Sequence, residues 1–177
     1  MNFKEVNQAL NKFGKYVVQQ SKSNLTKDDK GGGALYNSVK YNLTQEENAF
    51  LLDFLMENYG TFQDLGVKGS NPSLVKNGKQ KAPNSPYSYK SKRPPLRPLV
   101  KWAKLKKIRF RQADGKYKKG NYQTIGFWLQ KRIFAQGLKP TMFFTKPFKK
   151  AFDQLPKSLE KAFAVDIEKE IMYGEKK

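Results

Sequence analysis

Along the first part of the chain, apolar residues recur at alternating spacings of three and four: Phe3, Val6, Leu10, Phe13 and Val17. That spacing lines one face of a helix and predicts one from residue 2 to about 22. Three consecutive glycines at 31–33 end whatever follows it, because they carry too much backbone freedom for a helix interior. From Leu35 the period changes to two, with Leu35, Asn37, Val39, Tyr41 and Leu43 on one side, which predicts a half-buried strand. Gln45, Glu46, Glu47 and Asn48 read as a turn, and residues 49–56 as a second strand, apolar on both faces and more deeply buried. Residues 57–65 fit either a short helix or a tight turn.

A different texture begins at Gly66. Residues 66–95 hold Pro72, Pro83, Pro86, Pro94 and Pro95 among Ser, Asn, Gly and Lys, a composition with little to bury that predicts a long loop. Helical spacing returns over 96–108 through Leu99, Trp102 and Leu105 (or Ala103), and a further loop spans Asp114, Gly115 and Gly120. Tyr122–Gln136 predicts a helix with Ile125, Leu129 and Ile133 inward, ended by Gly137. Residues 141–145 look extended. Phe148, Phe152, Leu155, Leu159, Phe163, Ile167 and Ile171 then trace a long amphipathic helix that Pro156 should kink or restart, since proline lacks the amide donor of the helix ladder. No internal repeat is evident. The order predicts a single α+β domain over residues 1–177, with N-terminal, central and C-terminal helices packed on a small antiparallel sheet.

Charge changes this picture most. The 177 residues carry 35 Lys and Arg against 15 Asp and Glu, a net of +20. Residues 66–120 alone hold 17 basic residues and one acid, Asp114, so +16 of that net falls on under a third of the chain. The plain reading of a lysine run is a solvated face. The sharper one makes 66–95 an extended basic arm that, with the helix after it, grips a polyanion or an acidic protein. The residues expected to make that contact are Lys76, Lys79, Lys81, Tyr87, Tyr89, Lys90, Lys92, Arg93, Arg97, Lys101, Lys104, Lys106, Lys107, Arg109 and Arg111. Tyr87, Tyr89, Trp102, Phe110 and Tyr117 are interleaved with the charge, and such rings can stack on bases or pack against protein.

Candidate chemistry is thin. The chain has no Cys and no His, which removes disulfides, thiolate nucleophiles, zinc–thiolate sites and any Ser-His-Asp triad. The close carboxylates are Asp28-Asp29, Glu46-Glu47 and the Glu168/Glu170 pair. The first two groupings read as solvated turns, and the last two residues point to different helix faces. Asp53 is the one strand carboxylate a nuclease could use, with no partner at an obvious spacing. The triple glycine lacks the Lys-Ser/Thr of a phosphate loop. Neither an enzyme nor a cofactor is expected. No apolar stretch approaches the ~20 residues of a membrane span. The N-terminal residues start directly with a polar periodic pattern and no secretory core, so a soluble protein made in the cytoplasm is expected.

Four stretches, in order, resemble the tail-completion (head–tail joining, neck) proteins of tailed bacteriophages, in the broad lambdoid minor-tail family. Gly33-Ala-Leu35-Tyr-Asn-Ser38-Val is similar to that family's entry into its first strand. Glu57-Asn-Tyr59-Gly60-Thr-Phe62-Gln-Asp64-Leu-Gly66-Val-Lys-Gly69 is similar to its aromatic, glycine and acidic turn closing the hairpin. Pro94-Pro95-Leu-Arg-Pro-Leu99-Val-Lys-Trp102-Ala-Lys-Leu-Lys106-Lys107-Ile108 resembles a helix of its longer members. Gly137-Leu-Lys-Pro140-Thr-Met-Phe143-Phe144-Thr145-Lys-Pro147-Phe148 resembles the segment opening its last helix. The resemblance implies an α+β structural subunit of the virion neck or tail end, without catalytic residues or cofactor. Such a subunit forms a homo-oligomeric ring, usually hexameric, that joins the head connector (portal side) to the tail tube. In that setting the basic arm would meet neighbouring proteins or the DNA backbone. The alternative from a different class is a nucleic-acid-binding architectural protein without sequence specificity.

Overall fold

The structure is a computed structural model describing residues 3–28, 30–46, 49–71, 73–76, 78–111, 115–117 and 121–174, with residues 75, 76, 173 and 174 described by backbone alone. Asn2, Asp29, Glu47, Asn48, Pro72, Asp114 and Gly120 lie outside the described residues, as does the side chain of Lys76. In chain order the elements are α1 (Lys4–Lys27), α2 (Ala34–Ser38), β1 (Lys40–Gln45), β2 (Phe50–Leu55), α3 (Gly60–Leu65), β3 (Val67–Lys68), α4 (Ser73–Lys76), α5 (Leu96–Leu105), α6 (Tyr122–Gln136), β4 (Gly137–Leu138), α7 (Thr145–Phe152) and α8 (Leu155–Gly174). The class is α+β, with antiparallel pairs β1–β2 and β3–β4. The chain divides into two compact units, residues 1–60 with 141–177, and residues 61–140.

The discontinuous first unit is built on aromatic packing. α1 buries Val6, Leu10, Phe13 and Val17, as their spacing predicts, and continues past residue 22 because Ser21 and Leu25 extend the same buried face. Gly14 is buried under the Tyr41 ring, where an added Cβ would sit 2.6 Å from a ring carbon. Leu35 lies in a helical turn rather than a strand. The Ser38 hydroxyl donates to the Leu35 carbonyl, and its oxygen accepts from the Glu57 amide. The strand therefore starts only at Lys40. β1 and β2 pair antiparallel from Lys40 opposite Leu55 to Gln45 opposite Phe50. Tyr41, Leu43, Phe50, Leu52 and Phe54 are the partly covered positions.

β2 is not the deeply buried strand expected from its apolar run. One face packs inward, while Leu51 and Leu55 are 50% and 45% exposed. A two-layer arrangement covers one side of this sheet, so alternation leaves every second residue outside. Phe54 meets Phe13, Phe144 and Phe148 edge-on at ring separations of 6.0, 5.3 and 5.8 Å. Leu25, Leu35, Val39 and Phe143 form an adjoining buried cluster. The region around Phe143 is a turn leading into α7, not the extended segment predicted. The long C-terminal helix is divided at Asp153 and Gln154, and Pro156 falls in the first turn of α8, where no amide donor is required.

α1 has no side-chain cap of its own, since Phe3 occupies the capping position. Its cap comes from α8. Both carboxylate oxygens of Asp166 accept from the Glu5 amide at 3.0 Å, and Oδ2 also accepts from the Val6 amide at 3.0 Å. Lys169 adds an ion pair with Glu5 at 2.8 Å on the surface.

The second unit is held differently. Its fully buried side chains are small or few, Ala103 and Ile125 among them. α6 begins and ends where the sequence indicates. The Asn121 side chain accepts from the Gln123 amide at 2.9 Å, and Gly137 takes a left-handed φ of 87°. That glycine then pairs as β4 with β3, Lys68 opposite Gly137 and Val67 opposite Leu138.

Residues 66–95 are not an extended arm. Ser70 and Lys81 amides donate to the carbonyls of Phe134 and Gln136 at 2.8 and 2.7 Å, satisfying the end of α6. The Lys68 amide donates to Tyr87, and the Tyr89 amide donates back to Lys68. Gln80 accepts from the Gly69 amide at 2.6 Å, and the Ser85 hydroxyl donates to the Gly66 carbonyl at 2.7 Å. Gln80, Ala82, Ser85 and Pro94 are buried. A segment with few large apolar side chains is thus folded by its main chain.

Candidate polyanion-binding surface

Residues 61–140 contain 20 Lys and Arg against two acids, a net of +18, while the other unit has 15 against 13, a net of +2. Of the two acids, Asp114 is outside the described residues and Asp64 is buried. Among the described residues, therefore, this unit presents cations to solvent with no exposed carboxylate between them. A field of that sign attracts polyanions from a distance and weakens as salt rises.

The expected contact residues separate into groups. Lys79, Lys81, Lys90, Lys92 and Arg93 are exposed on the folded 66–95 segment, and the Arg93 guanidinium lies over the Phe134 ring at 5.6 Å. Tyr87 and Tyr89 are not free to stack on a base. The Tyr87 ring meets Phe62 edge-on at 4.7 Å, and Tyr89 is half-buried against Phe134 at 6.0 Å. Burial pushes the Tyr89 hydroxyl above its ordinary pKa, because the phenolate would lose solvation. Both tyrosines anchor the segment. Lys106, Lys107, Arg109 and Arg111 follow α5 on the exposed surface, with Arg111 over the Tyr117 ring at 5.3 Å.

Arg97, Lys101 and Lys104 come together. At spacings of four and three they share one face of α5, and with Leu96, Val100 and Gln123 they line a groove of about 340 Å³ against α6. Leu96 and Val100 pack on Gly126, where an added Cβ would be 2.5 Å from Val100 Cγ2, so glycine sets how closely the two helices approach. The buried stripe of α5 runs through Ala103, leaving Trp102 46% and Leu105 72% exposed. Of the two inward registers open in the sequence, the one through the small residue is adopted, because α6 lies too near for an indole.

Gln123, Trp128 and Arg132 belong to this surface, although the sequence pattern did not single them out. Arg132 lies over the Trp128 ring at 5.1 Å, and Phe110 meets that ring edge-on at 5.7 Å. The Trp128/Arg132 pair was legible as an i, i+4 spacing on a predicted helix. Gln123 had no signal.

In the other unit a groove of about 690 Å³ runs beside α1, lined by Ala9, Phe13, Tyr16, Ala151 and Leu155, with Lys12 and Lys150 among its polar residues. Asp28, Glu46 and Asp53 are exposed, and Asp53 sits opposite Asn42 in the ladder. No group of three or more carboxylates converges among the described residues. No described helix is long and apolar enough to cross a membrane. No protein-family model, curated protein or solved structure matches this chain.

Proposed function

We propose that this chain is a non-catalytic structural subunit of a tailed-phage neck or tail end, assembling as a ring that joins the head connector to the tail tube. The observation that carries the reading is the β1–β2 sheet. Among the described residues neither strand pairs with a third, and the outward face carries Leu51 and Leu55. Two-stranded sheets are marginal alone, and an open edge beside exposed leucines is a template for another chain. The four stretches resembling neck proteins supply the identity of the assembly, and cyclic symmetry would repeat each modest contact around the ring.

The double variant Leu51→Glu, Leu55→Glu tests it. The chain should remain folded, fail to form oligomers by mass measurement, and yield heads and tails that do not join. Full joining by that variant would overturn the assignment.

The second reading, a nucleic-acid-binding architectural protein without sequence specificity, is favoured by the +18 unit and its lack of exposed described carboxylates. The two readings are compatible if the basic unit of a ring subunit meets DNA.

A further inference from the structure

We infer that the groove between α5 and α6 is a binding site for the phosphodiester backbone of duplex DNA, tracked by the row Arg97, Lys101 and Lys104. The inference rests on the nucleic-acid reading and gives it a surface; it does not depend on ring formation.

Length is the first argument. From residue 97 to 104 an α-helix rises about 10 Å at ~1.5 Å per residue. One strand of a duplex presents about three phosphates over that distance, at ~3.4 Å of axis each. Successive cations are about 6 and 4.5 Å apart along the helix, so their long side chains reach along the strand to neighbouring phosphates without a strict register.

Charge is the second. None of the three cations meets a carboxylate among the described residues, and the unit's one described acid is buried. Binding would therefore break no ion pair of these three side chains, and each phosphate they neutralise would release cations condensed on the DNA, which is the source of the salt dependence of DNA affinity. Shape is the third. Leu96 and Val100 form the apolar floor, Gln123 adds an amide at the rim, and the short Gly126 contact keeps the helices from closing or splaying. Arg and Gln side chains donate to phosphate oxygens, and an apolar floor suits the deoxyribose edge. A row of cations directed at phosphates carries no sequence information, so binding without sequence preference is expected. An acidic protein helix is the weaker fit because the cations run on past this groove through the exposed Lys106, Lys107, Arg109 and Arg111, a spread that an extended polyanion meets and a single short helix does not.

The test uses the full chain and a fluorescent duplex of about 20 base pairs, titrated between about 50 and 200 mM salt. The variant Arg97→Gln, Lys101→Gln, Lys104→Gln removes the row. A control, Lys4→Gln, Lys15→Gln, Lys157→Gln, removes the same charge from exposed positions of the other unit. Wild type and control should bind alike. The α5 variant should bind at least ~10-fold more weakly at low salt, with its log–log salt slope shallower by about 2.7, at ~0.9 for each phosphate no longer neutralised. Scrambling the duplex sequence should change nothing.

If both triple variants lose affinity equally, a diffuse field and not this groove binds DNA, and the site is overturned while the nucleic-acid reading survives. If wild type fails to bind duplex at low salt, or binds polyglutamate in its place, both the site and the nucleic-acid reading fall. Equal thermal melting of the three proteins, expected because all six side chains are exposed, separates lost binding from lost folding.

Discussion

The two units reach compactness by opposite means. The nearly neutral unit interlocks phenylalanines: Phe13, Phe54, Phe144 and Phe148 touch one another at ring separations of 5.3 to 6.0 Å. The +18 unit has small buried residues, and its 66–95 segment is fixed by main-chain amides, Gln80 and Ser85. Large apolar side chains stabilise in proportion to the area they bury. A segment composed of Lys, Pro, Ser and Asn has little such area, and backbone pairing is what remains to order it. The difference teaches why the cations stay available: where the main chain does the folding, side chains are left to face solvent.

That contrast can be broken, and its largest test is Phe143→Ala. Phe143 is fully buried, so the truncation should cost about 3–5 kcal/mol in urea unfolding. Hydrogen exchange should quicken through α1, β1 and β2. A cost below ~1 kcal/mol would mean that the cluster of Phe143 with Leu25, Leu35 and Val39, which adjoins the aromatic network, does not hold this unit.

Asp166→Ala comes next. It strips an ionised acceptor from two buried or part-buried amides at the start of α1, and should cost about 2–3 kcal/mol. Asp166→Asn keeps one accepting oxygen and should lose less. Equal losses would show that charge, rather than acceptance, matters at this cap.

The smallest effect concerns the basic unit and its pH dependence. Burial raises the Tyr89 pKa in the folded chain, so above about 10 the unfolded chain releases the phenolic proton first. Stability should therefore fall as pH climbs through that range. Tyr89→Phe should fall less steeply over the same window. Identical slopes would place Tyr89 outside the structured part of the segment.

Much of the fold was legible where one local signal stood alone. α6 has a capping Asn121, a buried stripe and a terminating Gly137, and its bounds match the expectation. Pro156 marks the restart of the C-terminal helix. Legibility failed where distant partners decide. β3 and β4 are two residues each, too short for periodicity, and exist because they meet each other. Nothing local announces that Lys81 would donate to Gln136, so the 66–95 segment read as an arm. Leu51 and Leu55 follow an apolar run that cannot say how many layers cover it. For the candidate surface, the cations were visible as composition, but the selection of Arg97, Lys101 and Lys104 required knowing where α6 lies. Tyr87 and Tyr89 misled because an aromatic among lysines looks the same whether it is an anchor or a platform.

The carboxylate that caps α1 lies 161 residues further along the chain than the amide it serves. All of residues 61–140 lie in the chain between the two halves of that cap. Until Asp166 is in place the first amides of α1 have no side-chain acceptor, so closing the discontinuous unit ties its two ends together across all the intervening residues.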